Sequence, residues 1–135
     1  MMISEHISID EATQSPTALR LKIDNTPNET ELAQMRAVAA VCFEPLRKWY
    51  GSPIKINSFF RCSELNQAVG GAKNSQHTKG EAIDISAGSK AENKKLYDWC
   101  KANLKFDQLI NEYDYTWVHI SYRAGDNRNQ TLTVI

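Results

Sequence analysis

Neither sign of charge is in excess in this chain: 16 Lys and Arg face 16 Asp and Glu, for a formal net charge of zero. That balance removes any argument for nonspecific nucleic-acid binding or for a polybasic membrane patch. Long hydrophobic runs are missing as well, so no membrane insertion is expected. The segment Met1-Met2-Ile3-Ser4-Glu5-His6 has neither the basic flank nor the apolar stretch of a signal peptide. Synthesis in the cytoplasm without a leader is the expectation. Cysteine is scarce and unpatterned. Cys42, Cys62 and Cys100 are odd in number and show no Cys-x-x-Cys spacing. They read as free thiols, and Cys42 and Cys100 fall on apolar helix positions where a small hydrophobe belongs. Repeats and low-complexity tracts are absent, and 135 residues leave room for one domain, residues 1–135. Histidine occurs only three times, at His6, His77 and His119, so where each one falls is informative.

The elements alternate in kind along the chain. Ser8 to Glu11 has capping-box spacing and predicts a short helix, and Ser15-Pro16 predicts a second. Asn28 with Glu31 opens a long helix to about Tyr50, its apolar stripe running Leu32, Met35, Val38 or Ala39, Cys42, Phe43 and Leu46. Pro45 is expected to kink it. A strand at Ile54–Ser58 delivers Phe59-Phe60-Arg61, and a short helix at Ser63–Val69 stops at Gly70-Gly71. A second strand, Ala82–Ser86, leads to a helix that starts at a Ser89–Glu92 capping box and runs to about Asn103. Phe106–Tyr113 and Thr116–Arg123 form a hairpin around Asp114-Tyr115, with Thr131–Val134 as a last edge strand. Strands interleaved with helices and closed by a hairpin predict an α+β fold, an antiparallel sheet with helices packed against it.

The chemistry concentrates at Ser75-Gln76-His77-Thr78-Lys79-Gly80-Glu81-Ala82-Ile83-Asp84. Asp84 sits on a half-buried strand, where a carboxylate without a partner costs several kcal/mol, about 3 or more. His119 follows on another strand, in Thr116-Trp117-Val118-His119. Two imidazoles and one carboxylate suit one Zn²⁺ per chain, with the fourth tetrahedral position left to water. His6, in a polar terminus, reads as a solvated surface residue.

Ser-x-His-x-x-Gly-x-Ala-x-Asp (Ser75, His77, Gly80, Ala82, Asp84) followed by Trp-x-His (Trp117, His119) resembles the zinc D-Ala-D-Ala carboxypeptidase family. That family includes D-Ala-D-Ala dipeptidases and phage L-alanyl-D-glutamate endopeptidases, and shares its fold with the Hedgehog signalling domain. The resemblance takes in Ser58-Phe59-Phe60-Arg61, Leu65-Asn66 and Val69-Gly70-Gly71-Ala72, and spans roughly residues 8 to 123. It is nearest to the small phage-type and Bacteroides-type members. It implies His77, Asp84 and His119 as metal ligands, and Arg61 as the holder of a substrate carboxylate, a task that suits a planar fork of donors. Ser75 and Gln76 are added as substrate contacts, although Ser75 reads equally as a turn residue. Trp117 either walls the site or sits in the core. Asp107 is a candidate to orient a metal-bound histidine.

One position departs from the family pattern. Most relatives carry an acid three residues before the second histidine, and here that residue is Thr116. Glu112 and Asp114 are the alternatives for a general base. With an even-numbered loop centred on Asp114-Tyr115, Glu112 pairs with Trp117 and Ile110 with His119, which puts Glu112 on the histidine's face. A one-residue change in the loop would reverse that, and Asp114 lies in the turn itself. The expected partner is the stem peptide of peptidoglycan, acted on at the cell wall by a monomer, as a phage or prophage product. The rival readings are a zinc-binding module without catalysis and a phage tail component of the same fold.

Overall fold

Alternation along five strands builds the sheet that carries the site. The computed structural model describes residues 1–135. The strands β3 (Lys55–Ser58), β4 (Ala82–Ser86), β5 (Gln108–Glu112), β6 (Trp117–Ser121) and β7 (Gln130–Val134) lie in the order β3-β4-β6-β5-β7. Ile83, Ile85, Leu109, Val118 and Ile120 point to one face and are fully buried. Asp84, Ile110, Glu112, Trp117 and His119 alternate with them onto the other face and are only partly buried. The first face is the floor of a continuous core of 22 buried residues, so this is one α+β domain.

The helices that cover the core begin where capping chemistry places them. Ser8 and Glu11 exchange reciprocal hydrogen bonds at the start of α1 (Ile9–Thr13), and Asn28 and Glu31 do the same at α3 (Glu29–Val38). Ser15 caps α2 (Pro16–Leu21), which has proline in its first turn. Instead of breaking at Pro45, the long helix widens just before it. Ala39–Phe43 form a π turn in which the Glu44 N–H reaches back to the Ala39 carbonyl, and α4 (Glu44–Tyr50) continues to a left-handed Gly51. Such a turn absorbs the hydrogen bond that proline cannot make. Met35, Val38, Cys42, Phe43 and Leu46 from this stripe are buried, as are Leu96 and Cys100 of α6 (Lys90–Asn103). The three cysteines are free, and burial pushes the Cys42 thiol up to about 12. No helix is long and apolar enough to cross a membrane.

The structure differs from the sequence reading in three places. The sheet is mixed: β7 runs parallel to β5, pairing Ile110 with Leu132, whereas the other pairs are antiparallel. The first residues form a small hairpin of β1 (Met2–Ser4) and β2 (Ile7–Ser8). His6 is not simply solvated. Its Nδ1 lies 2.6 Å from Glu44 Oε1, and its N–H donates to Oε2 of the same carboxylate, which fastens the hairpin to the start of α4.

Candidate metal centre

Three elements bring the ligand candidates together. Asp84 and His119 are direct cross-strand partners on β4 and β6. His119 Nδ1 lies 2.8 Å from Asp84 Oδ1. His77 comes from outside the sheet, on a 3-10 turn at Gln76–Lys79 that follows α5 (Ser63–Ala68). Its Nε2 lies 3.0 Å from Asp84 Oδ2, and the two imidazole rings meet edge to face with centroids 5.3 Å apart. The ligand atoms of all three residues fall within 4.8 Å of one another.

The tautomer of His77 decides what this cluster is for. Its Nδ1 lies 2.7 Å from the Phe59 carbonyl oxygen, which only accepts, so Nδ1 carries the proton. In the neutral ring Nε2 then presents a lone pair. That atom is buried, makes no hydrogen bond, and faces a carboxylate oxygen. Two lone pairs aimed at each other in a buried site repel, and a shared cation removes the repulsion. The donor set of imidazole Nε2, imidazole Nδ1 and one carboxylate fits a divalent ion of intermediate softness. Burial would raise the pKa of Asp84, but the flanking imidazoles of His77 and His119 outweigh it. The carboxyl is held well below its usual range and stays ionised as a ligand must.

Local chemistry explains the motif's small residues. Gly80 ends the turn at φ +73°, and a Cβ there would stand 2.7 Å from the Glu31 carbonyl oxygen and 2.8 Å from Met35 Cγ on α3. Glycine is what lets the turn that bears His77 lie against that helix. Ser75 Oγ accepts from the His77 N–H and caps the turn. Its role in the fold is that of the turn residue.

The hairpin has the even loop. Glu112 pairs with Trp117 and Ile110 with His119. Asp114 and Tyr115 both take left-handed φ, at 54° and 62°. Asn111 Oδ1 accepts from the Tyr115 N–H, and the buried Asn93 amide donates to the carbonyls of Tyr115 and Thr116. These asparagines, which the sequence reading missed, shape the loop that aims Glu112. Its Oε1 lies 3.8 Å from His119 Nδ1. Burial pushes the Glu112 carboxyl above its usual range and the Asp84 charge adds to this, partly offset by His119, His77 and Arg61. Asp114, by contrast, is 76% exposed and turned toward Lys90. Thr116 donates its hydroxyl to the Tyr113 carbonyl and so is tied into the turn.

The match is to the family described as Peptidase M15, over residues 5–121. The chain belongs to the peptidase M15 family. Among curated proteins none matches it.

The remaining candidates in this M15 chain divide. Arg61 is half-buried, its Nε has no hydrogen-bond partner, and burial lowers its pKa against the opposing pull of Asp84 and Glu112. Trp117 packs edge-on against Tyr113 at 5.0 Å on the site's face of the sheet, not in the core, and its buried Nε1 is unpartnered. The Gln76 amide nitrogen is engaged, donating to Asp107 Oδ2 at 3.0 Å and to Glu81 Oε1 at 3.3 Å. Asp107 touches neither histidine. The carbonyl of Phe59 takes the orienting role at His77, and Asp107 is engaged by Arg128, Arg123 and Gln76.

Proposed function

We propose that the chain is a zinc-dependent peptidase that hydrolyses a peptide bond in the stem peptide of peptidoglycan. The observation that carries this reading is the lone pair of His77 Nε2 held against Asp84 beside His119, with Glu112 next to the cluster on the same open face. His77, Asp84 and His119 would hold the ion. Bound there, zinc supplies Lewis acidity, which polarises a carbonyl and acidifies water.

The chain's own residues supply the rest. Glu112, with its raised pKa, is matched to taking a proton at its carboxylate and releasing it to a leaving amine. Arg61 has an unused buried donor close to both acids, which supports a role in fixing a substrate carboxylate over the ligands. Trp117, on that face, would wall one side of a bound substrate. The chain then acts at the cell wall as a monomeric phage or bacterial hydrolase.

Incubating the purified chain with peptidoglycan and weighing the released fragments by mass spectrometry tests the reading. Fragments from one defined stem-peptide bond, lost on chelation and restored by zinc, are the expected result. They also decide between carboxypeptidase, dipeptidase and endopeptidase action. A second reading, a zinc-binding module without catalysis, rests on Thr116 standing where most relatives have an acid and turning its hydroxyl into the loop. A zinc-loaded chain that releases nothing from any wall preparation would establish that reading instead.

A further inference from the structure

Asp107 is a fully buried carboxylate outside the ligand set, and everything that neutralises it comes from one place. Arg128 approaches it as a fork, Nε to Oδ1 at 3.0 Å and Nη2 to Oδ2 at 2.7 Å. The Arg128 backbone N–H donates to Oδ1 at 2.9 Å, and Arg123 Nε stands 3.3 Å from Oδ2. Both arginines lie beyond residue 121, where the match to the family ends. The loop between them is closed on itself, since the Asn127 amide bonds both the N–H and the carbonyl of Arg123. The segment is also stitched to the backbone at the same point, through Asn129 N–H to the Phe106 carbonyl and Gln130 N–H to the Asp107 carbonyl. Arg128 hydrogen bonds pull the Asp107 carboxyl down to about 2.

The one neighbour of this carboxylate that belongs to the site's own motif is Gln76. Its Nε2 donates to Asp107 Oδ2, and it opens the 3-10 turn that carries His77. The Gln76 carbonyl accepts from the Glu81 N–H at 2.9 Å, and the His77 carbonyl accepts from Gly80 at 3.3 Å. The chain of contacts runs Arg128–Asp107–Gln76–turn–His77. A buried carboxylate stripped of its cations would be expelled or protonated, and Gln76 would lose the shorter of its two acceptors, keeping only Glu81 Oε1 at 3.3 Å within its own segment.

We infer that residues 123–128 act as a clasp that positions the His77 turn through Asp107 and Gln76, with Arg128 and Asp107 as positioning residues for the metal centre. The inference rests on the metal reading of the site. It implies that the segment past the family match sets how tightly this chain holds its ion, because His77 is the single ligand candidate not fixed by the sheet. Contacts that orient a ligand from behind are worth about 10–100-fold in metal affinity when removed.

Zinc affinity, measured by competition with a chromophoric chelator on the full chain, tests this with Arg128→Ala and Gln76→Ala. Each is expected to weaken zinc about 10–100-fold. The double variant should be no weaker than the weaker single, since both break one chain of contacts. Leu96→Val, in the core on the other face of the sheet, is the control for lost stability: zinc binding should stay within a few-fold of wild type. Amide exchange on the metal-free protein gives a second reading that needs no zinc. The Gly80 and Glu81 amides should exchange faster in Arg128→Ala and Gln76→Ala, while the β4–β6 ladder keeps its protection. The clasp is overturned if Arg128→Ala weakens zinc no more than Leu96→Val does at equal loss of melting temperature. It is equally overturned if Gln76→Ala leaves both affinity and exchange at wild-type values. Wild-type protein that takes up no zinc would sink the metal reading, and exchange at Gly80 and Glu81 would still judge the clasp.

Discussion

Gly80→Ala separates two costs that are usually confounded, because the chain contains its own control. Gly80 and Gly51 share nearly the same backbone conformation, with φ of +73° and +76°. An L-residue there costs about 1–2 kcal/mol, less about 0.4–1 kcal/mol recovered from the reduced freedom of the unfolded chain. Gly51→Ala has open space around the added methyl, so it should cost roughly 0.5–1.5 kcal/mol in all. At Gly80 the methyl would stand 2.7 Å from a backbone carbonyl oxygen and 2.8 Å from Met35 Cγ. Met35 can shift, but the Glu31 carbonyl belongs to α3 and moves only with the helix. Overpacking of this kind adds about 1–3 kcal/mol, for a total of roughly 2–4 kcal/mol. A chain of 135 residues unfolds with an entropy of about 0.3 kcal/mol/K, so each kcal/mol is about 3–4 °C. Thermal unfolding of the metal-free protein should therefore show Gly80→Ala down by roughly 7–14 °C and Gly51→Ala by about 5 °C or less. Gly80→Ala should also take up zinc more weakly, since the moved turn carries His77. Equal losses of melting temperature in the two variants would refute the close-approach argument and leave only backbone strain.

The other predictions address chemistry and charge. Glu112→Gln keeps fold and zinc while kcat falls by on the order of 10²–10⁴-fold, and Asp114→Asn stays within a few-fold of wild type. The reverse pattern in steady-state kinetics would remove Glu112 as the base. Arg61→Lys keeps the charge but loses the planar fork, so KM for a stem-peptide substrate rises and zinc content is unchanged. Kinetics matching wild type would make Arg61 a bystander. Asp107 has a folded pKa of about 2, below its unfolded value of about 3.9. Its contribution to stability is thus complete above about pH 4 and is lost as pH falls toward 2. In urea titrations, Asp107→Asn should flatten the fall of stability across that window by about one proton. An unchanged slope would show that Asp107 is not ionised in the native state.

What the sequence discloses and what it hides follow from how far apart the interacting residues are. Capping residues at Ser8, Asn28 and Ser89 act within four residues, so their hydrogen bonds are readable from spacing. The boxes at Ser8 and Asn28 are complete, while at Ser89 only the serine half forms, because Glu92 accepts from the Tyr50 hydroxyl instead. The hairpin register is readable for a similar reason: strand parity and loop length place Ile110 opposite His119 with no long-range information. The parallel pairing of β7 is not readable, because nothing local in Thr131–Val134 distinguishes an antiparallel partner from a parallel one reached by a loop. Asp107 shows the limit most clearly. Its sequence neighbourhood gives no sign of Arg128, 21 residues on. The β1–β2 hairpin is too short for a period-2 pattern, and its fastening to Glu44 joins residues 38 apart.

That division also locates the fragile point of the site. Asp84, His119 and Glu112 stand on three neighbouring strands whose spacing is set by ladder hydrogen bonds, so their geometry is a by-product of the sheet. His77 enters from a turn, and a turn has no ladder. It is held instead by the Phe59 carbonyl on its ring, by the Arg61 N–H on its own carbonyl, by the approach of α3 at Gly80, and by the Asp107–Gln76 link that the carboxyl-terminal segment braces. These tethers come from the segment after β3, from a helix and from the residue before β5. Each restrains the turn by a different route, so loss of one leaves the others and weakens the ion without abolishing it. Removing a ligand side chain instead deletes a donor outright, and no tether compensates. Graded loss from Gly80, Gln76 and Arg128 variants, against complete loss from His77→Ala, Asp84→Ala or His119→Ala, is therefore what this architecture requires of a metal centre.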